Sequence, residues 1–452
     1  MPRDKMSKQM ESTPPRVVIG SQGTRYELGD HLGSGGQGSV YRVSRRRAVK
    51  LIDEPDARSG EKLQHQLARV NRFDFSGVSV ARPIETLRGP DVGYVMEFLE
   101  DMTSFRSLLP PLNDDNVLHW FIETGGVRRR LQLLSKFAAI LAKLHGKGLV
   151  FGDPSPNNVF ISRDSDYCEV WLIDADNIAS ENSKGVTPIF TPGYGAPEVV
   201  QGLAPCTRSS DAYSFAIIAF ELLTLIHPFI GDAVSEGPPE LEQTAFLGAL
   251  PWVDDPTDTS NRSSKGLPRD LCISVKLKEG FRKVFEQGRM NTRERPSMAR
   301  WSRLFAEAAQ ATVICENQQC GLSYYVSERK CPGCEADLPD IDLVSISFDS
   351  RFRASPPLKR VLQESSKISI SAKELCIPLE IEEALSIFRD GEEIVFQFGL
   401  DGVKASPSPG SRWFSGQLHY KRNQDISAPI EVTTAQGMNL NLSIDSIGSR
   451  RR

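Results

Sequence analysis

The sequence predicts an α+β fold with two added C-terminal modules, and three observations carry that expectation. Strand-like alternation dominates residues 25–52 and returns at VGYVMEF, while helical spacing governs LQLLSKFAAILAKLH and SSDAYSFAIIAFELLT. Two cysteine pairs follow, in CENQQC and CPGC. From Leu343 onward the pattern turns to period two: VSISF, KISIS, EEIVFQFGLDGVKA, RWFSGQLHY and IEVTTAQGMNLNLSI, punctuated by Gly, Pro, Asn and Ser.

The 452 residues leave room for two or three domains. A formal net charge of −4 gives no global electrostatic case for nucleic acid or an anionic membrane. The opening MPRDKMSKQMESTPPRVVIG lacks an apolar h-region, so no signal peptide is expected and 1–23 reads as a flexible lead. The longest apolar run, 215–226, carries Glu221 and is too short to span a bilayer. A cytoplasmic protein with thiols rather than disulfides is expected.

Two stretches carry chemistry. In YELGDHLGSGGQGSVYRVSRRRAVKLI, Gly33, Gly35 and Gly38 form G-x-G-x-x-G between two strands, with Val40 two residues on and Lys50 in A-V-K on the next strand. Glycines let a backbone approach phosphates closely. Alone, the motif reads equally as a flexible hairpin tip. Followed by a strand and not a helix, it argues against a Rossmann site, and A-V-K favours a phosphate loop. In GLVFGDPSPNNVFISRDSDYCEVWLIDADN, Asp153 and Asn158 share one short loop and Asp174 ends a buried apolar run. Two carboxylates and an amide so placed suit a divalent metal with a phosphate in attendance.

On these residues the sequence resembles the protein-kinase family, over about 26–309. The resemblance implies a bilobal fold with ATP between the lobes under Gly33, Gly35, Gly38 and Val40. It implies Asp153 as catalytic base, Asn158 and Asp174 as Mg2+ ligands, and Lys50 on the α/β phosphates. Met96 would be the gatekeeper, and the backbone from Glu97 to Leu99 would meet adenine. Glu61, on a helix expected over 57–71, would pair with Lys50, the alternative being a solvated surface residue. Gly195-Ala196-Pro197-Glu198 matches A-P-E, with Glu198 paired to Arg295 of RERPS, and Asp211 would order the catalytic-loop backbone. Thr187 and Thr191, in an activation segment over 180–191, are candidate phosphosites or substrate contacts, or ordinary loop hydroxyls.

Three departures from the family pattern stand out. The H-R-D triplet is Phe151-Gly152-Asp153, the lysine two residues after the base is Ser155, and D-F-G is Asp174-Ala175-Asp176. They keep open a nucleotide-binding pseudokinase scaffold acting through its C-terminal modules. Small-molecule phosphotransfer of the aminoglycoside-kinase type ranks last, because A-P-E is present. GDPSPNN, LIDADN, LPWVDDP and RERPS look most like bacterial Ser/Thr kinases of tellurite-resistance and stress operons. That resemblance implies Ser/Thr hydroxyls of proteins as substrates, and a von Willebrand A-type protein and a PP2C-type phosphatase as partners. The Pro- and Gly-rich insert over 231–270 reads as a docking surface.

Cys315, Cys320, Cys331 and Cys334 suit a closed, structural Zn2+ site and resemble a zinc ribbon, with a redox C-x-x-C or free thiols as alternatives. Cys168, Cys206, Cys272 and Cys376 read as isolated core residues. The expected layout is a lead over 1–23, a kinase domain over 24–310, a zinc ribbon over 311–338, a small β-rich domain over 339–447 and a solvated basic tail over 448–452.

Overall fold

Seven strands make the first layer of the computed structural model. They are β1 (Val17–Gly20), β2 (Arg25–Glu27), β3 (His31–Gly35), β4 (Gly38–Arg42), β5 (Arg47–Leu51), β6 (Pro83–Arg88) and β7 (Gly93–Glu97). All pairings are antiparallel, in the order β2-β1-β6-β7-β5-β4-β3. The structure describes residues 16–35, 38–53, 55, 59–110, 116–181, 190–325, 327–328 and 330–338, and beyond these the backbone of strands between 341 and 447. One face of the sheet buries Val18, Tyr26, Val49, Leu51, Leu87 and Val95. Helix α1 (Ser59–Val70) lies across the layer and buries Leu63 and Leu67 beside Tyr94 and Met96. The lead expected over 1–23 ends sooner than that, because Val17–Gly20 is a paired strand of this sheet, its apolar pair Val18 and Ile19 hydrogen-bonded between β2 and β6.

The second lobe is mainly helical. It holds β8 (Met102–Ser104), α2 (Val117–Glu123), α3 (Gly126–Gly146), β9 (Leu149–Val150), β10 (Val159–Ser162), β11 (Val170–Leu172) and β12 (Ala179–Ser180). Then come α4 (Pro197–Val200), α5 (Arg208–Thr224), α6 (Asp232–Ser235), α7 (Pro239–Phe246), α8 (Arg269–Cys272), α9 (Val275–Phe285) and α10 (Met298–Gln310). Its core is aromatic: Phe215 of α5 lies 5.3 Å from Phe137 of α3, 5.8 Å from Trp301 and 5.6 Å from Phe305 of α10, centroid to centroid. Helix α5 is apolar nearly all round because other elements surround it, and Thr207 and Ser210 close its N-terminus in a reciprocal capping box.

One sequence expectation changes here. Helix α3 starts at Gly126, ahead of the apolar run, and its first turns bury three consecutive arginines. Arg130 is fully enclosed, donating to the Leu108, Gly126 and Phe121 carbonyls with its guanidinium 4.1 Å from the Phe121 ring, and burial holds its pKa down to about 9. The 231–270 insert is seated in the lobe by a few buried residues, with the rest of it largely exposed. Trp252 and Val253 are about 1% exposed, Trp252 packs against Phe220 and Phe285, and buried Asn261 donates to the Phe229 and Pro251 carbonyls.

The Glu198–Arg295 pair is present and bidentate, at 2.7 and 2.9 Å. Arg295 also donates to the Gly288 and Ser209 carbonyls and sits 4.8 Å from the Tyr213 ring centroid. Removing the carboxylate would strand a buried guanidinium. Glu198→Gln is therefore expected to cost about 3–5 kcal/mol of stability, read by denaturant unfolding; a loss below about 1 kcal/mol would show that the carbonyls suffice.

Between 341 and 447 the described backbone forms two antiparallel sheets. One orders 367–369, 341–349, 439–447 and 430–433; the other orders 353–354, 383–389, 392–399, 402–407 and 418–421. The period-two runs supply these strands, and the first pairs with the last from Ile341↔Ile447 to Phe348↔Leu440.

Candidate active site

The loop between β9 and β10 is held from below by Asp211, on the first turn of α5. Its carboxylate accepts the Phe151 N–H at 2.8 Å and the Gly152 N–H at 3.0 Å, and pairs with His145 Nε2 at 2.9 Å. Gly152 turns there at φ 87°, a left-handed conformation that favours glycine. The next residue, Asp153, is thereby presented at the mouth of the lobe.

Asp153 is buried and heavily hydrogen-bonded. Asn158 Nδ2 donates to its Oδ2 and to its backbone carbonyl, both at 3.0 Å. Thr191 donates its N–H to Oδ1 at 2.7 Å and its hydroxyl to Oδ1 and Oδ2 at 2.9 and 3.1 Å. Burial pushes the Asp153 pKa above the usual carboxylate value, with the charge of Asp174 adding to it, while the bonds from Thr191 and Asn158 pull the other way. Asn158 spends its amide N–H groups on Asp153, which leaves its carbonyl oxygen for a metal. Thr187 lies outside the described residues.

Asp174 follows β11 in a left-handed conformation, φ 55° and ψ 48°, uncommon for a residue with a side chain. Lys50, on β5, reaches Asp174 Oδ1 at 3.0 Å and Asp176 Oδ2 at 4.0 Å. Burial works against the Lys50 charge, but the Asp176 and Asp174 carboxylates outweigh it and raise its pKa. The expected Glu61 partner is corrected by the structure. Glu61 is exposed on the first turn of α1, and no ion pair among the described residues joins it to Lys50. At about 100° per residue it points opposite to buried Leu63, Leu67 and Val70. The α1 side chain that reaches the site is Gln66, whose Nε2 donates to the Asp176 carbonyl at 2.7 Å. Neither Gln66 nor Asp176 was singled out from sequence; the second Asp of D-A-D was the available signal.

Above the site, Gly33 and Gly35 lie on β3 and Gly38 on β4, with the tip of the turn, 36–37, outside the described residues. A Cβ on Gly38 would lie 1.9 Å from the Leu51 carbonyl oxygen, so only glycine fits; beside Gly33 a Cβ would meet nothing within 4 Å. Val40 stands in register with Lys50. Met96 and Glu97 end β7, where the Glu97 and Phe98 N–H groups bond to the Arg82 and Arg46 carbonyls at 3.1 and 2.9 Å. Leu99 is the next residue along this connection. Ser155 Oγ is buried in the catalytic loop with no hydrogen-bond partner among the described residues, a free donor beside Asp153. This set of oxygens, one cation and an open glycine-lined wall fits a nucleotide phosphate with its magnesium ion.

The four cysteines also meet. Strands β13 (Thr312–Ile314) and β14 (Ser323–Tyr325) form a hairpin, and Cys315, Cys320, Cys331 and Cys334 bring their Sγ atoms within 4.8 Å of one another. Cys315–Cys334 and Cys320–Cys331 are 3.5 and 3.6 Å apart. A tetrahedral site with Zn–S bonds of about 2.3 Å has S···S edges near 3.8 Å, so the set fits Zn2+. The hairpin is fastened to the helical lobe. Arg128 donates its N–H to Ser323 Oγ and its guanidinium to the Thr312 carbonyl, both at 3.2 Å, and the Tyr325 hydroxyl donates to the Cys272 carbonyl at 3.2 Å. Of the isolated cysteines, Cys272 is buried in the core as expected, Cys168 and Cys206 are half-buried, and Cys376 lies outside the described residues.

No helix among the described residues is long and apolar enough to cross a membrane. The chain is similar to several bacterial kinases. It is 29% identical to the serine/threonine-protein kinase pkn2 of Myxococcus xanthus over 222 residues, 46% of this chain and 25% of that protein. It is 28% identical to PknB of Mycolicibacterium smegmatis over 227 residues, 46% and 34% of the two chains. With PkaA of Streptomyces coelicolor the identity is 27% over 281 residues, 58% and 50%. The matches thus span a quarter to a half of these relatives' lengths. The family model for the protein kinase domain matches residues 26–265, more than half of the 452 residues, and this chain therefore belongs to the protein kinase family.

Proposed function

We propose that this chain transfers the γ-phosphate of Mg-ATP to Ser or Thr hydroxyls of proteins. The observation that carries the reading is the convergence of Asp153, Asn158, Asp174 and Lys50 at one mouth between the lobes. Asp153 orients the acceptor hydroxyl and takes its proton as the oxygen attacks the γ-phosphorus; the bond to the β,γ-bridging oxygen breaks and ADP leaves. Lys50 grips the α/β phosphates. Asn158 and Asp174 would hold Mg2+, which supplies neutralising charge at the phosphates. Gly33, Gly35, Gly38 and Val40 cover the nucleotide, Met96 lines the back of its pocket, and the backbone from Glu97 to Leu99 receives adenine. Asp153 accepts from the Thr191 hydroxyl, which supports its accepting from a substrate hydroxyl.

The relatives named above are serine/threonine kinases, which supports Ser/Thr over Tyr. The tellurite-operon resemblance supports a cytoplasmic stress-signalling setting, with a von Willebrand A-type protein and a PP2C-type phosphatase as partners. In this reading the kinase domain begins with β1 at Val17 and runs to 310, 311–338 is a zinc ribbon and 339–447 a β-rich domain that recruits partners.

The test is incubation of the purified chain with Mg-ATP and a generic protein acceptor, followed by phosphosite mapping. Phosphate on Ser and Thr supports the reading. ATP bound with no transfer to either protein would move the assignment to a pseudokinase. Glu61→Ala is expected to change the transfer rate by no more than about twofold, as for other exposed side chains. A loss beyond tenfold would return Glu61 to the site.

A further inference from the structure

In the arrangement the family resemblance implies, the A-V-K lysine is anchored by a glutamate on the helix that follows. Here α1 sends a neutral amide toward the site. Gln66 donates to the Asp176 backbone carbonyl, and Glu61 is exposed on the opposite face. Lys50 is nevertheless only 4% exposed, and an ammonium so enclosed requires a countercharge. Two carboxylates face it, both on the turn after β11: Asp174 at 3.0 Å and Asp176 at 4.0 Å. Asp174 is also a proposed metal ligand, so its charge is shared.

Asp176 has no such second duty. It is 4% exposed, and its Oδ1 has no hydrogen-bond partner among the described residues. Buried Tyr94, from β7, neighbours this carboxylate, and Lys50 Nζ lies 5.9 Å from the centre of the Tyr94 ring. The 3-10 turn Ala175–Asn177 that carries Asp176 is thus joined to α1 through Gln66 and to β5 through Lys50, with Tyr94 of β7 alongside. In D-F-G the third position is glycine, which keeps the carbonyl for Gln66 but has no carboxylate to set against Lys50.

We propose that Asp176 is the positioning residue that holds Lys50 for the nucleotide phosphates, doing from the D-A-D turn what a glutamate on α1 would otherwise do. The inference rests on the kinase reading for its consequence, since it says how the phosphate-gripping lysine is kept in place. It follows that Lys50 stays anchored whatever the tilt of α1, because the helix contributes only the Gln66 amide.

Two measurements on the full chain test it. The first needs no catalysis: labelling of lysines by limiting acetic anhydride without nucleotide, quantified by peptide mass spectrometry, in wild type and Asp176→Ala. Lys50 is expected to label several-fold faster in the variant, while Lys283, exposed on α9, labels at an unchanged rate. Equal labelling of Lys50 in the two chains would overturn the proposal. If every lysine labels faster, the alanine variant has lost its fold, and the nearly isosteric Asp176→Asn is read by the same criterion.

The second measurement is the transfer rate. Asp176→Ala is expected to lower kcat at least tenfold. Adding Gln66→Glu to that variant, which returns a carboxylate to α1, is expected to recover much of the loss; a variant with wild-type kcat would overturn the proposal. Faster Lys50 labelling in Asp176→Ala, combined with a wild type that transfers no phosphate, would uphold the anchor and discard the kinase reading instead.

Discussion

Asp153→Asn is expected to lower kcat by roughly 10²- to 10⁴-fold, the range for removing a general base, with ATP affinity nearly unchanged. The amide keeps the size of the carboxylate and can still accept from Thr191, so the loop held by Asp211 should stay in place. What it loses is the proton acceptor. The pH profile adds a signed check. Burial raises the Asp153 pKa, and the group works only when ionised. Activity should therefore fall, as pH is lowered, at a pH above the ordinary Asp value of about 3.9. Nucleotide titration and initial rates across pH read both effects. A variant retaining more than a tenth of wild-type kcat would remove Asp153 from the role of base.

Breaking the four-cysteine site is expected to destabilise the helical lobe as well as the hairpin. The purified chain should carry one zinc, and Cys331→Ser should lose it. Cys331 and Cys315 are buried with Val313, Leu322 and Tyr324, so a metal there would organise a small core that is otherwise thin. The damage should spread, because Arg128 and Tyr325 tie the hairpin to the helical lobe. Gly126 lies so close to it that a Cβ would come within 2.4 Å of Ser323 Oγ. The far end of the same helix, α3, carries His145, the partner of Asp211. Structural zinc contributes about 10 kcal/mol or more to isolated zinc-finger peptides. Here a fraction of that, about 3 kcal/mol or more, is expected to appear as lost stability of the kinase lobe. Metal analysis by mass spectrometry beside thermal unfolding decides it. A zinc-free Cys331→Ser chain that melts with the wild type would make the knuckle a passenger.

The residues most legible in the sequence were those whose chemistry dictates residue type at fixed spacing. Asp153 with Asn158, Asp174, Lys50, the Glu198–Arg295 pair and Asp211 can be read this way because a catalytic carboxylate, a buried ion pair or a loop clamp tolerates few substitutes. Helix phase was less legible. Glu61 stood near Lys50 in sequence, but its angular position on α1 turns it to solvent, while Gln66 faces inward. Asp176 was seen only as a missing glycine, since its value depends on Tyr94 and Lys50 arriving from two other strands. Over 231–270 the anchors were not legible: Pro, Gly, Ser and Asp dominate the stretch, and its seating in the lobe rests on few residues, Trp252, Val253 and Asn261 among them. The start of α3 was missed because Arg128, Arg129 and Arg130 carry no apolar signal, although backbone carbonyls and an aromatic ring receive their guanidinium groups in the interior.

The most direct test of phosphotransfer is an intact-mass time course of the purified wild type and Asp153→Asn, side by side in Mg-ATP with a protein acceptor. The account predicts added phosphate in the wild-type reaction, on Ser and Thr, and none above background in the variant. No phosphate in either reaction while ATP binds, or equal phosphate in both, would contradict it.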